Sequence, residues 1–196
     1  MARALSDPNA RMLNHAEFVY APGERDLTAR FFRALGCRVL DPQKDPLPAN
    51  LGPAAGPYLI VYLDAGDDDV IDNVFYASEV TPPQWKFEEC LRAQLTSDAA
   101  LAESARAMRE NFARLPQATT HLGLAFPSVE ELEATVERIS TDPELADRVQ
   151  LSKIYRPGEP GSADVRIVQT FVHTDVCSNG VLAIGQQFEL QVRVDR

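Results

Sequence analysis

The chain has 196 residues, 45% of them hydrophobic and 24% charged, and its 19 basic and 29 acidic side chains leave a formal net charge of -10. That length and balance give one compact domain or two small modules with a sizeable core, and exclude wholesale disorder. The acidic surplus, with no run of Lys or Arg, argues against nucleic acid and anionic membranes as partners. No apolar stretch approaches the roughly 20 residues that span a bilayer. Residues 1–9 lack the apolar core of a signal peptide, so a cytoplasmic protein is expected. Cys37, Cys90 and Cys177 are odd in number and scattered, a pattern for free thiols buried as small hydrophobes rather than for disulfides or a paired zinc motif.

Residues 12–20 form a short strand-like run that ends at the turn signal Ala21-Pro22-Gly23. An amphipathic helix follows, with Leu27, Phe31 and Leu35 at four-residue spacing, Phe32 widening the apolar face and Gly36 as the left-handed stop. Residues 37–40 read as a second strand, 41–57 as a Pro-rich loop, and 58–63 as a buried β-branched and aromatic strand. The aspartates of 64–72 lack the spacing of an ordered calcium loop and fit a solvated hairpin turn. Residues 73–80 make a fourth strand.

The character then changes. Thr81 can cap a helix with Pro82 at its first position, and Phe87, Cys90 and Leu91 share a face. A second helix is predicted up to Leu115, with Leu101, Met108 and Phe112 inward and Pro116 as its stop. Trp85 reads as a packing anchor. Residues 120–126 are again a strand, Ser128 to Glu131 a capping box, and Leu132, Val136 and Ile139 the apolar stripe of a helix. Strands are predicted at 149–155, 165–176 and 181–194, the first two joined by the loop 156–163 and the last two by a turn at Ser178-Asn179-Gly180.

The order strand, helix, three strands therefore occurs twice, over 11–80 and 118–196, with a helical insert over 81–117. The expected fold class is α+β: two βαβββ modules pairing into a curved mixed sheet around a cavity, because each half-sheet alone leaves one face uncovered. His15 and His121 lead the two opening strands, each five residues before an aromatic. Period-two alternation puts His15 with Glu17, His121 with Gly123, and Gln187, Glu189, Gln191 and Arg193 together on one face of the last strand. The fourth strand offers Phe75, Ala77 and Glu79 on one face.

With Leu13-Asn-His-Ala opening the first half, Thr120-His-Leu-Gly-Leu-Ala opening the second and Phe188-Glu-Leu-Gln in the last strand, the sequence resembles the vicinal oxygen chelate superfamily, the glyoxalase, bleomycin-resistance and extradiol-dioxygenase group. The resemblance covers the chain outside the insert. It implies a divalent metal on His15, His121 and Glu189, with Glu79 as a further ligand. Imidazole and carboxylate donors suit Ni, Zn, Co, Mn or Fe(II). The implied function is a glyoxalase-like, metal-dependent lyase or isomerase acting on a small oxygen-rich substrate, with Glu79 or Glu17 moving the proton. His173 is a candidate acid or base, or a hydrogen-bonded structural residue. Extradiol-type Fe(II) oxygenation and metal-free sequestration of a small molecule are the alternatives, because this fold hosts several chemistries. A homodimer is also implied.

Overall fold

The structure, a computed structural model, describes residues 13–47, 56–160, 162 and 166–194. The predicted strand positions Met12 and Val165 and the loop stretch 48–55 lie outside the described residues. In chain order the elements are β1 (His15–Tyr20), α1 (Arg25–Ala34), β2 (Arg38–Leu40), β3 (Leu59–Tyr62), β4 (Val74–Glu79), α2 (Pro82–Ser97), α3 (Ala99–Arg114), a 3-10 turn (Pro116–Ala118), β5 (Leu122–Ala125), α4 (Val129–Ser140), β6 (Val149–Leu151), β7 (Ile167–Thr174) and β8 (Gln186–Arg193). They make an α+β fold of two four-stranded mixed sheets, ordered β1-β4-β3-β2 and β5-β8-β7-β6. In each, the first strand runs parallel to the last and the other pairings are antiparallel. Among the described residues no helix is long and apolar enough to cross a membrane.

Local chemistry explains the helix boundaries. Asp26 and Arg33 complement the dipole at the two ends of α1, and Gly36 follows it at φ +91°, a backbone state open to glycine. Thr81, Asp98 and Ser128 cap α2, α3 and α4 by accepting the backbone N–H of Gln84, Leu101 and Glu131.

The inward faces of the insert differ from the expected ones. Leu101 and Met108 are exposed; Phe112 is buried as expected, with Ala105 beside it. Phe87 and Cys90 are likewise exposed, while α2 buries Glu88. The reason is polar: the Glu88 carboxylate accepts the backbone N–H of Leu182 at 2.8 Å and of Ala183 at 2.9 Å, and these two bonds set the roll of α2. The last connection is also longer than the predicted tight turn, since β7 ends at Thr174 and β8 begins at Gln186. The intervening loop bonds to the outer edge of β1, Val19 N–H to Ser178 O at 2.8 Å and Ser178 N–H to Val19 O at 3.0 Å.

One core serves both sheets. Phe188 of β8 lies among Phe18 of β1 and Phe31 and Phe32 of α1, with ring centroids 5.7, 5.8 and 6.4 Å away. Leu132 and Ile139 of α4 and Leu190 of β8 extend the same cluster. Polar ties follow the apolar ones: Arg148 bonds Glu24 at 2.8 Å and Asp175 at 2.6 Å, and Arg138 donates to the Ala34 carbonyl at 2.8 Å. A smaller cluster of Leu40, Ile60, Tyr62 and Val74 covers the other face of the first sheet, with the Arg38 guanidinium over the Tyr62 ring.

Because Phe188 joins both halves, Phe188→Ala is expected to destabilise the whole chain by about 3–5 kcal/mol. Chemical denaturation followed by fluorescence and circular dichroism should show one shared transition at a lower midpoint. Separate transitions for the two halves would contradict the shared core.

Candidate functional site

The burial of Phe188 and Leu190 on the core side turns Gln187, Glu189 and Gln191 to the opposite face of β8. Register then builds rows across the second sheet. Gly123 and Phe171 flank Glu189, and His173 lies opposite Gln187, with Gln150 beyond it in β6. His121, one residue before β5, places its Nε2 3.2 Å from the Glu189 Oε2. Its ring meets the Phe171 ring edge-on at 5.7 Å.

The other imidazole nitrogen determines what that contact is. His121 Nδ1 lies 2.8 Å from the Thr119 carbonyl oxygen. A carbonyl only accepts, so Nδ1 carries the hydrogen. A neutral ring would then turn a lone pair on Nε2 towards a carboxylate oxygen, placing two acceptors in contact. The contact is favourable only when a proton or another cation lies between Nε2 and Oε2. The pair is thus built to share one proton or one cation.

A cavity of about 310 Å³ lies beside it. Its walls come from Phe112 at the end of α3, from Thr120 and His121, from residues 178–181 and 184–186 of the connecting loop, and from Gln187. The loop is held in place by Ser178 on β1, by Glu88 on α2, and by Gly185 at φ +85°. A Cβ on Gly185 would sit 2.6 Å from the Thr174 carbonyl oxygen and 2.8 Å from His173 Nε2, so only glycine fits there.

The other predicted residues fall elsewhere. His15 and Glu17 are exposed on the face of the first sheet away from Phe18, and the His15 ring meets Tyr76 edge-on at 5.7 Å. Glu79 lies opposite Tyr20, at the far end of the parallel β1–β4 pair from His15, and accepts the Gly23 N–H at 3.1 Å. Among the described residues no three His, Cys, Asp or Glu side chains are grouped as metal ligands. The expected set of His15, His121, Glu189 and Glu79 is therefore not assembled, and only His121 and Glu189 meet. The donors of that pair do fit an ion: two ligands each about 2.1 Å from one metal, in cis positions, lie about 3.0–3.4 Å apart.

His173 is part-buried. Its Nε2 donates to the Ile184 carbonyl at 3.2 Å, and its ring stacks on Phe112 with centroids 4.1 Å apart. This is the hydrogen-bonded structural role. Gln187 and Phe112 are site residues that sequence reading did not single out: Gln187 belonged to a recognised polar face, and Phe112 to a recognised helix face. Of the thiols, Cys37 is pushed up to about 12 by burial and Cys177 is raised chiefly by the same cause, which disfavours the thiolate in both.

Burial lowers the His173 pKa below its ordinary value of 6.5, with the Ile184 bond opposing. The unfolded chain therefore binds the proton more readily than the folded one, so this residue favours the folded state fully above about pH 6.5 and progressively less as pH falls towards the folded value. Thermal unfolding of the wild type and of His173→Leu between pH 7.5 and 5 should show the shallower pH slope in the variant. Equal slopes would contradict the assignment.

No protein-family model and no curated protein matches this chain. A solved structure of a hypothetical protein from S. aureus aligns over 93% of this chain and 94% of its own, at 11% identity and a TM-score of 0.41. A likeness of that size transfers neither site nor activity.

Proposed function

We propose that this chain is a glyoxalase-like small-molecule protein, in which two βαβββ modules curve about a cavity and the His121–Glu189 pair meets the oxygen-rich end of the occupant. One observation carries the reading: a histidine with acceptors at both ring nitrogens borders a cavity of about 310 Å³, at the low end of the size range of small-molecule sites. The pair carries no net charge, and the proton it shares can pass to a ligand carbonyl oxygen that takes the place of the Glu189 oxygen at Nε2. Phe112 and residues 178–181 and 184–186 of the loop wall the cavity beside the pair. In a reaction, the proton between Nε2 and Glu189 is the one that would move to or from the ligand oxygen, and the Thr119 carbonyl would hold the ring oriented. A cytoplasmic homodimer belongs to the same proposal.

The 3.2 Å spacing of Nε2 and Oε2 favours a second reading, in which His121 and Glu189 together hold a divalent ion. When bound, such an ion would supply Lewis-acid stabilisation of an enolate or oxyanion, the lyase or isomerase chemistry of the family resembled. The Thr119 carbonyl would serve that site too, by keeping the proton on Nδ1 and Nε2 free to coordinate. Extradiol oxygenation at Fe(II) would draw on the same two donors, since His15 and Glu79 lie elsewhere.

The test uses pyruvate as a probe, followed by amide NMR shifts in protein dialysed against chelator. Shifts should centre on Thr120, His121 and residues 178–187, and binding should weaken at least about tenfold in His121→Ala. Shifts elsewhere, or undiminished binding by His121→Ala, would overturn the proposal. Repeating the titration with nickel separates the readings: stoichiometric nickel, lost in both His121→Ala and Glu189→Gln, supports the ion.

A further inference from the structure

The helical insert carries an apolar face that no described residue covers. In α2 and α3, 16 residues each, only Glu88, Ala105 and Phe112 are buried. Helices of that length are marginal in water unless a face is packed. The apolar periodicity of α3 meets no such packing along one line: Leu101 is 39% exposed, Met108 38% and Leu115, at the end of the helix, 53%.

These three residues are seven apart, so they drift by only about 20° per step around the helix. The Leu115 N–H bonds the Asn111 carbonyl at 2.9 Å, which keeps Leu115 on that line. Ser104 and Asn111, both exposed, fill the alternate positions and complete the three-four spacing of a helix-packing seam about 21 Å long. The seam holds no charged residue. The ion pairs of α3 stand on another face: Arg106 bonds Glu103 and Glu110, and it lies about 160° round from Met108. Such a division suits a helix with water on one side and a partner on the other.

Charge and symmetry identify the partner. The insert, 81–117, has five basic and five acidic side chains, so the net charge of -10 belongs wholly to the rest of the chain. Two copies repel over most of their surface and approach most easily at the neutral insert. The seam is also symmetric in sequence, with Leu101 and Leu115 each seven residues from Met108. A two-fold axis through Met108 therefore sets Leu101 opposite Leu115 of the partner subunit, as a self-complementary interface requires. A charged peptide would find no counter-charge on the seam.

We infer that α3 is the dimerisation helix and that its seam pairs antiparallel with the same seam of a second copy. This rests on the homodimer of the reading above and assigns its surface.

Sedimentation equilibrium of the full chain, between about 1 and 500 µM, tests the assignment. The wild type should be dimeric at the upper end of that range. Met108→Glu, which brings two carboxylates together on the axis, and Leu101→Glu should each weaken the dimer at least about tenfold. Both positions are exposed in the single chain, so circular dichroism should show both variants folded. Arg106→Ala, on the far face, should leave the dimer unchanged. A dimer that survives both glutamate substitutions would overturn this inference and leave the homodimer standing on another surface. A wild type that is monomeric throughout would overturn this inference and the homodimer together, while the pyruvate titration still decides the cavity.

Discussion

The position of Phe188 organises the rest of the molecule. Held among Phe18, Phe31 and Phe32, it belongs to the first sheet's core as much as to its own. A strand alternates strictly, so fixing Phe188 and Leu190 inward fixes Gln187 and Glu189 outward. A slip of one residue in β8 would bury two glutamines and a glutamate in an aromatic cluster. The apolar packing thus sets the direction of the polar groups without touching them, which is how a fold with low tolerance for error can carry a charged pair on its other face.

The helical insert completes the polar face of the second sheet rather than standing apart from it. Glu88 of α2 holds the loop at Leu182 and Ala183, Phe112 of α3 covers the His173 ring, and Pro116 just beyond α3 bonds Gln187. Thr119, two residues beyond the insert, sets the His121 tautomer. Four residues between 88 and 119 therefore shape a wall whose chemistry comes from β8. The buried carboxylate of Glu88 is supported by two backbone donors, which explains why a charge sits where an apolar anchor was expected.

Alternation was legible in the sequence wherever a strand was long and one-sided. The faces of β8 could be read directly, whereas the adjacency of His121 to the polar row was implied by the family resemblance alone and rests on the β5–β8 pairing. Helix caps at Thr81 and Ser128 and the glycine stop at Gly36 were legible for the same reason: each is local chemistry. Register between strands is not local. His15 and Glu79 were grouped by analogy of position, but the parallel pairing sets His15 against Val74 and Glu79 against Tyr20, at opposite ends of the strand pair. The hold on the Gln187 amide was also invisible, because it depends on a carbonyl 71 residues away in sequence.

The central claim is that His121 and Glu189 share one proton or cation at Nε2, with the Thr119 carbonyl keeping the hydrogen on Nδ1. Long-range 1H–15N NMR of the histidine rings, in the wild type and in Glu189→Gln, tests it most directly. The account predicts a protonated, hydrogen-bonded Nδ1 in both proteins and an Nε2 signal that moves when the carboxylate becomes an amide. An unprotonated Nδ1, or an Nε2 signal indifferent to the substitution, would contradict it.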